Sequence, residues 1–345
     1  MPRRLIPEWE TQAGVMLTWP HAATDWAGQL VAAERTYLEI TTAISRFESL
    51  LIVAYDEGHA TSIESQLRRA GIPRSRFTFG IAPSNDTWTR DHGPIAIEES
   101  DGIRLLDFRF NGWGGKYAYD LDDAITQALH LKGCFGEAAL ETLDLVFEGG
   151  GIDTDGCGTL LVTESCLLAP TRNPSLDRFA LEAKLREMLG ITRIYWLNIE
   201  PLPGDDTDGH IDTLARFCNP ETIAYVQCHD TKDPCFNSLQ RMERQLRTFT
   251  NYHGERHTLV PLPSPSPVHD ENGRRLPATY ANFLIINNAV LVPTYRDAAD
   301  RQAIEVLSHC FPEREIIGID CSTLIQQNGS LHCITMQLPQ GTIAI

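Results

Sequence analysis

The apolar residues of this chain fall alternately into helical stripes and short continuous runs. Between residues 30 and 47, apolar side chains recur every three or four positions, which predicts an amphipathic helix. Residues 50–54 are all apolar, which is typical of a strand buried on both faces. Helices are also predicted at 60–70, 121–131, 181–189, 237–251 and 297–310, and strands at 14–19, 77–81, 94–97, 105–110, 159–163, 194–197, 211–217, 222–226, 280–286, 289–292 and 315–319.

Single helices therefore alternate with two or three short strands. No GxGxxG motif follows the first strand and no phosphate-binding loop occurs, which argues against a nucleotide-binding doubly wound sheet. The pattern favours repeated strand-strand-helix-strand modules, each presenting a loop to a common centre. Polar clusters at Asp91, Glu148 and His210 follow one another at about 60 residues, and Cys333 lies about twice that distance further on. This spacing indicates an internal repeat whose loops share one face.

Residues 261–268 (Pro-Leu-Pro-Ser-Pro-Ser-Pro-Val) form either a linker between domains or an extended surface loop. Because apolar strand signals resume after Tyr280, we predict a surface loop. The length of 345 residues allows one large or two medium domains, and we predict a single catalytic domain that spans residues 1–345.

The composition and net charge of the chain argue against some classes of function. The chain has 42% hydrophobic and 22% charged residues, which is ordinary for a globular protein. Its net charge of −17 argues against a nucleic-acid partner, because phosphate binding depends on Lys and Arg. An acidic protein attracts small cationic substrates, although the same charge also serves solubility.

The cysteines and the hydropathy predict the compartment. Nine cysteines, an odd number without a CxxC pair, do not form a disulfide framework and indicate a reducing environment. The N-terminus has two arginines but no apolar segment behind them, and no run of 18 apolar residues occurs. We therefore predict a cytoplasmic protein without a membrane partner, and leave a homo-oligomer open.

The candidate nucleophile lies near the C-terminus. Residues 328–337 place the thiol of Cys333 between a Gly-containing turn and an apolar, β-branched run. This pattern predicts a turn that delivers Cys333 to the start of a buried strand, a common place for a nucleophile. A cysteine at such a position is also often a small core residue.

If the polar loops converge, the carboxylates of Asp91, Glu148 and Asp212 would repel one another unless a cation lay among them. A metal would use these three with His210, and Cys333 as a fifth ligand, but mixed hard and soft donors so far apart in sequence make a poor metal site. We therefore predict no metal.

A guanidinium cation fits the same residues better, because carboxylates bind its planar N–H groups in bidentate fashion. Asp91 and Asp212 would each hold one edge, and Trp88 would pack on the ligand. Cys333 would attack the carbon, while His210 moves protons. Glu148 would orient the histidine.

Each residue also has a structural interpretation. Asp91 fits a turn before Gly-Pro, and Glu148 a solvated loop. His210 and Asp212 would share one face of a half-exposed strand, and Trp88 would belong to the core. The remaining histidines, including His332, we interpret as structural or surface residues. Only the set as a whole indicates a site.

The sequence resembles the agmatine deiminases, which are grouped with the bacterial-type peptidylarginine deiminases in the guanidino-group modifying superfamily. The resemblance implies an α/β fold, a five-bladed propeller (pentein) of pseudo-fivefold strand-strand-helix-strand modules with the site in its central channel. It covers nearly the whole chain, and the matching stretches are 7–10, 17–20, 85–94, 148–150, 207–212, 280–283, 311–314 and 331–335.

The resemblance also implies a reaction. Cys333 attacks the guanidinium carbon, and His210 protonates the departing ammonia and then activates water. Asp91 and Asp212 clamp the guanidinium, and Glu148 contacts both the guanidinium and the histidine. The implied reaction is agmatine hydrolysis to N-carbamoylputrescine and ammonia in putrescine and polyamine biosynthesis, with no cofactor. Two substrate-binding residues are implied as well, Trp88 and Asp206, the latter near the far amine.

Alternatives remain at this point. Free or peptidyl arginine would need a basic residue near the amine end, which the sequence does not place. A metal-dependent hydrolase and a non-catalytic propeller are alternatives from other classes. One motif also departs from the family, because Asn328-Gly329-Ser330 replaces Gly-Gly-Asn before the nucleophile. Asn tolerates the left-handed conformation that such a turn needs, and Ser330 changes the side-chain contacts near the thiol.

Overall fold

The computed structural model describes residues 3–343. Within these residues, the strands form five small sheets. Every sheet contains the same module, in which two antiparallel strands are followed by a helix and by a third strand parallel to the second. The predicted strand-strand-helix-strand repeat is therefore confirmed.

The element bounds follow the alternation predicted from the sequence. The strands are β1 (Arg4–Leu5), β2 (Gln12–Thr18), β3 (Ser49–Ala54), β4 (Phe77–Ile81), β5 (Ile95–Glu99), β6 (Gly102–Arg109), β7 (Ala139–Val146), β8 (Ile152–Thr154), β9 (Thr159–Thr163), β10 (Arg193–Leu197), β11 (Ala215–Asn219), β12 (Thr222–Val226), β13 (Thr258–Leu262), β14 (Leu284–Ile286), β15 (Ala289–Thr294), β16 (Glu315–Asp320) and β17 (Thr335–Pro339). The α-helices are Leu30–Ser45, Glu57–Arg69, Thr89–His92, Gly112–Gly115, Ile125–Leu131, Glu164–Leu167, Arg178–Leu189, Phe236–Leu246 and Asp300–Cys310, and the 3₁₀ turns are Asp25–Gln29, Arg74–Arg76, Asp122–Ala124, Gly149–Gly151, Ile211–Thr213 and Leu324–Gln327.

One module is built from both ends of the chain. Strand β17 pairs antiparallel with β2, so that Met336 lies opposite Met16. The helix Leu30–Ser45 connects β2 to β3, and these two strands pair in parallel. The strand orders of the five sheets are β17-β2-β3-β4, β1-β5-β6-β7, β10-β9-β8, β11-β12-β13 and β14-β15-β16.

The core forms where helices pack on the sheets. The helix Leu30–Ser45 buries Tyr37, Ile40 and Ile44 completely, as its apolar stripe predicted. Each such side chain contributes about 1.5–3 kcal/mol through its burial. The helix Arg178–Leu189 ends as predicted at Gly190, whose φ of 68° is left-handed. Among the described residues, no helix has the length and apolar character needed to cross a membrane.

In four modules the loop before the first strand carries a predicted site residue, and in the fifth it carries Asn282, which was not predicted. Asp91 precedes β5, Glu148 precedes β8, His210 precedes β11, Asn282 precedes β14, and Cys333 precedes β17. The period of about 60 residues is therefore the length of a module. The long interval between His210 and Cys333 contains one further module, whose loop carries Asn282.

The predicted strand 211–217 is wrong in its first half. Residues Ile211–Thr213 form a 3₁₀ turn, in which the backbone N–H of Leu214 donates to the carbonyl of Ile211 at 2.9 Å. The strand β11 begins only at Ala215. His210 and Asp212 therefore do not share a strand face, because the turn directs them separately and the β-branched sequence Ile-Asp-Thr only resembles a strand.

The predicted loop 261–268 is also partly wrong, because Pro261 and Leu262 end the strand β13. This strand lies at the edge of its sheet, where a proline need not donate to a second neighbour. The predicted helix 237–251 ends at Leu246. The sequence patterns also missed β1, β7 and β8, which are short or have alternating polarity.

Candidate active site

Cys333 lies in the turn before β17, as predicted. Its carbonyl accepts from the backbone N–H of Arg90 at 3.0 Å, which ties this turn to the Asp91 loop. Its Sγ lies 3.3 Å from Nδ2 of Asn282 and 3.9 Å from Oδ2 of Asp212. Burial, followed by the charges of Asp212 and Asp91, raises the pKa of the Cys333 thiol well above its ordinary value. A cation bound between these carboxylates would remove that repulsion and favour the thiolate.

His210 is buried between two carboxylates. Its Nε2 lies 3.2 Å from Oε2 of Glu148, and its Nδ1 lies 3.7 Å from Oδ1 of Asp91. Burial lowers the pKa of His210, but Asp91, Cys166 and Glu148 outweigh it and raise the pKa well above the ordinary value. The imidazole therefore holds a proton near neutral pH and can donate it.

The glycines after Glu148 allow this close approach. A Cβ on Gly150 would lie 2.5 Å from Nδ1 of His210 and 2.9 Å from Oδ1 of Asp91. The backbone N–H of Gly150 donates to the same Asp91 oxygen at 2.9 Å. A larger residue at position 150 would push the histidine and the carboxylate apart.

Asp91 and Asp212 face the thiol with pKa values shifted in opposite directions. Oδ2 of Asp91 accepts from the indole of Trp113 at 3.0 Å, and burial raises the pKa of Asp91 to about 6. Burial raises the pKa of Asp212, but the hydrogen bond from His332 at 2.8 Å and the charges of His332, His210 and Arg216 together outweigh it and lower the pKa. The other oxygen of Asp212, Oδ1, is buried and has no hydrogen-bond partner among residues 3–343. This oxygen is therefore available to a donor in the pocket.

Glu148 is held from behind by a buried arginine. Nε of Arg172 lies 3.0 Å from Oε1 of Glu148, and the same guanidinium contacts Asp208 and the carbonyl of Thr207. Burial opposes ionisation, but His210 and Arg172 outweigh it and lower the pKa of Glu148. Glu148 is therefore a carboxylate that orients His210.

A narrow cavity that is open to solvent leads to Cys333. Trp88 lines it and donates to Oδ2 of Asp86 at 3.2 Å, and burial with the nearby Asp25 raises the pKa of Asp86 to about 7. Asp206 lines it too and accepts from the Tyr117 hydroxyl at 2.8 Å. The described residues that line it are Asp25, Asp86, Trp88, Asp91, Trp113, Tyr117, Asp206, Thr207, Gln327, Asn328, Gly329 and Cys333, without Lys or Arg.

The unusual turn before Cys333 lies at the wall of this cavity. Asn328 adopts a left-handed φ of 67°, as predicted, and its amide donates to Oδ2 of Asp206 at 2.8 Å. Gly329 packs directly on Trp88, and Ser330 pairs its hydroxyl with Tyr295 at 2.9 Å. The Ser330 hydroxyl therefore forms a hydrogen bond in the protein interior.

The structure brings all the predicted site residues to one region, but the sequence missed several neighbours. Asn282 could have been found, since it lies in a matching stretch and fills the interval in the repeat. Trp113 lay in a Gly-rich loop without a chemical signal, and Arg172 and Cys166 reach the site from behind. His332, expected to be structural or exposed, is buried and bridges Asp212 and Glu8.

Known proteins match this chain over nearly its full length. The model of the Porphyromonas-type peptidyl-arginine deiminase family matches residues 4–339. The chain belongs to this family. Among curated relatives of this deiminase family, the agmatine deiminase of Stutzerimonas stutzeri is 31% identical, over 96% of this chain and 94% of the relative.

Solved structures of similar proteins agree. An agmatine deiminase of C. jejuni, a Cys-to-Ser variant with substrate bound, is 37% identical with a TM-score of 0.91, over 99% of this chain and 97% of that chain. A Porphyromonas gingivalis protein, solved under the provisional name of arginine deiminase, is 47% identical with a TM-score of 0.92, over 99% of this chain and 100% of that chain. The fold implied for this deiminase family member is therefore confirmed.

Proposed function

We propose that this protein hydrolyses agmatine to N-carbamoylputrescine and ammonia through a covalent thiouronium on Cys333, in putrescine and polyamine biosynthesis. The observation that carries the proposal is the convergence of Asp91 and Asp212 beside the thiol, with a protonated His210 held next to them. Such a pair of carboxylates suits a planar guanidinium.

The first step is binding of the cation. One edge of the guanidinium pairs with Asp91, and the other with the unpartnered Oδ1 of Asp212. The bound cation offsets the two negative charges that keep Cys333 protonated, so that the thiolate forms where it is needed. Trp88 packs against the ligand at the cavity wall.

The second step is exchange of ammonia for water. Cys333 Sγ bonds to the guanidinium carbon, and a C–N bond breaks as His210 gives its proton to the departing nitrogen. The now neutral His210 takes a proton from water, whose oxygen attacks the thiouronium carbon. The S–C bond breaks and the hydroxyl proton passes to the released ammonia, which leaves the carbonyl of the product, the thiolate and the protonated histidine. Glu148 orients the imidazole throughout.

The cavity lining favours agmatine. Asp25, Asp86 and Asp206 place acidic groups along the path away from Cys333, where agmatine carries an amine. Arginine would place an α-carboxylate among them. Arginine or an arginyl peptide remains the second candidate because two basic residues lie at the rim. Lys116 contacts Asp208 at 2.9 Å, and Arg274 contacts the side chain of Asn328.

We further propose that residues 1–345 form one catalytic domain that acts in the cytoplasm without a cofactor or a nucleic-acid partner. Three hydrophobic clusters link strands and helices from different modules, which supports a single domain. The net charge of −17 disfavours nucleic acid.

The test measures ammonia release from agmatine, arginine and a blocked arginine peptide, with and without a chelator. We expect agmatine turnover that the chelator does not reduce, and no turnover by Cys333→Ser, which should still bind agmatine. Turnover of arginine or the peptide instead would reverse the substrate assignment. Loss of activity with the chelator would indicate a metal-dependent hydrolase, and inactivity on all three substrates a binding module. Substantial turnover by Cys333→Ser would exclude the covalent mechanism.

A further inference from the structure

A second thiol lies at the site and has no role in the proposed reaction. Cys166 is 1% exposed and is placed by the short helix Glu164–Leu167 behind His210 and Glu148. One ligand atom from each of these three side chains, a sulfur, a nitrogen and an oxygen, lies within 4.8 Å of the other two. All three residues are buried, so these atoms face one another rather than solvent.

The atoms around this trio are arranged like the surroundings of a metal site. Oε2 of Glu148 faces both Nε2 of His210, at 3.2 Å, and Sγ of Cys166, at 3.7 Å. Arg172 donates to the other Glu148 oxygen, Oε1, at 3.0 Å and also reaches Oε2 at 3.4 Å, a contact that a bound metal would have to displace. The other ring nitrogen of His210 faces Oδ1 of Asp91 at 3.7 Å. Metal-binding histidines and carboxylates are commonly oriented by such outer partners.

We propose that Glu148, Cys166 and His210 form an inhibitory binding site for a thiophilic divalent cation, with Zn²⁺ as the best match. Zn²⁺ takes sulfur, imidazole and carboxylate ligands in tetrahedral geometry, and three protein ligands leave one position for water. The thiol disfavours Mg²⁺ and Ca²⁺, which prefer oxygen ligands.

The net charge of the site allows Zn²⁺ to replace protons there. Zn²⁺ would replace two protons, one on the imidazole and one on the thiol, so the net charge of the trio stays the same. Arg172 lies close to Glu148 and opposes the metal, although Asp208 shares the guanidinium charge. We therefore expect weaker binding than at a structural zinc site.

The inhibitory effect rests on the proposed function, whereas metal binding itself does not. A cation on Nε2 of His210 prevents the imidazolium from forming, so a proton given to ammonia from Nδ1, on the Asp91 side, would leave an unfavourable imidazolate. The guanidinium pocket between Asp91 and Asp212 stays open, so Zn²⁺ should lower kcat without raising KM for agmatine. Zn²⁺ captured by Cys333 and Asp212 would instead compete with the substrate.

The test is calorimetric titration of Zn²⁺ into the full-length protein and into Cys166→Ala, Cys333→Ala and Cys157→Ala. We expect one Zn²⁺ per chain in the wild type, the same Kd within threefold in Cys333→Ala and Cys157→Ala, and a Kd weakened about 100-fold in Cys166→Ala. Cys157 is an exposed thiol and controls for adventitious binding. Circular dichroism confirms that each variant is folded, and Cys166→Ser provides a second variant of similar size.

Unchanged Zn²⁺ binding in both Cys166 variants would overturn the proposal, as would loss of binding in Cys333→Ala alone. An activity assay then measures whether Zn²⁺ lowers kcat for ammonia release and whether a chelator restores it. If agmatine is not turned over, the proposed function fails, but the titrations still decide whether the metal site exists.

Discussion

Asp91 and Asp212 are chemically identical side chains that the fold makes different. Burial raises the pKa of both, to about 6 for Asp91, but His332, His210 and Arg216 together outweigh burial at Asp212 and lower its pKa. Both must be charged to hold a guanidinium. The ionisation of Asp91 should therefore decide how much of the free enzyme can bind substrate as the pH falls.

We predict that kcat/KM for agmatine falls about tenfold per pH unit below about pH 6, because only the ionised Asp91 binds the cation. The bound guanidinium lowers the pKa of Asp91, so the corresponding fall in kcat should occur at lower pH. Both profiles follow from initial rates of ammonia release. Asp206→Asn, at the far end of the cavity, should keep the same acid limb. A kcat/KM profile that stays flat down to pH 4.5 would contradict the role given to Asp91.

At the scale of elements, the turn at Asn328–Ser330 shows what a local pattern can predict. Its position before a strand and the left-handed Asn328 followed from residue types alone. Its contacts did not, because Gly329 meets Trp88 and Asn328 meets Asp206 across long stretches of sequence. The same limit applies to Trp113, whose contact with Asp91 depends on how two loops pack.

Gly329→Ala should disturb the cavity wall. The new Cβ would lie 2.0 Å from Cζ3 of Trp88, so the indole must move from its place beside Trp26. We expect kcat/KM for agmatine to fall at least about tenfold, and stability to fall by about 1–3 kcal/mol through overpacking. Ammonia-release kinetics and urea unfolding measure the two effects. Gly28→Ala is the matched control, since its Cβ meets nothing within 4 Å. Wild-type kinetics in Gly329→Ala would show that the Trp88 position does not matter.

At the scale of the whole molecule, the repeat was visible in the sequence because each module delivers one polar loop to the centre. The spacing of Asp91, Glu148 and His210 predicted the module length, whereas the doubled interval before Cys333 was not recognised as containing a further loop. Residue identity did not show the repeat, since each loop supplies a different chemical group. The interactions that hold the modules together were also hidden, because they join residues far apart in sequence.

Glu8 is the clearest of these interactions. It precedes β2, and its carboxylate accepts from His332 at 2.7 Å, from Arg216 at 2.9 Å and from the backbone N–H of Ile285 at 2.6 Å. These partners lie before β17, in β11 and in β14. Burial opposes ionisation, but the charges of Arg216 and His332 outweigh it and hold the pKa of Glu8 well below its ordinary value. Since the folded protein lowers this pKa, the stabilisation is complete above the unfolded pKa and is lost as the pH falls.

We therefore predict that Glu8→Gln lowers the free energy of unfolding by about 3–5 kcal/mol at pH 7, because it removes the closest carboxylate of the buried Arg216 and leaves Asp153 at 3.5 Å as the remaining one among the described residues. The difference from the wild type should shrink by about 1.4 kcal/mol per pH unit below the unfolded pKa of about 4.5. Urea unfolding across this range measures both quantities. Glu10→Gln, which removes a half-exposed partner of Arg4, should cost less than about 1 kcal/mol. If the two variants are equally mild, or if the loss in Glu8→Gln does not change with pH, then the contacts of Glu8 do not hold these modules together. If the loss of stability in Glu8→Gln is large and shrinks with falling pH as stated, Glu8 has two roles. It holds His332, which in turn holds Asp212, and it joins the sheets around the site.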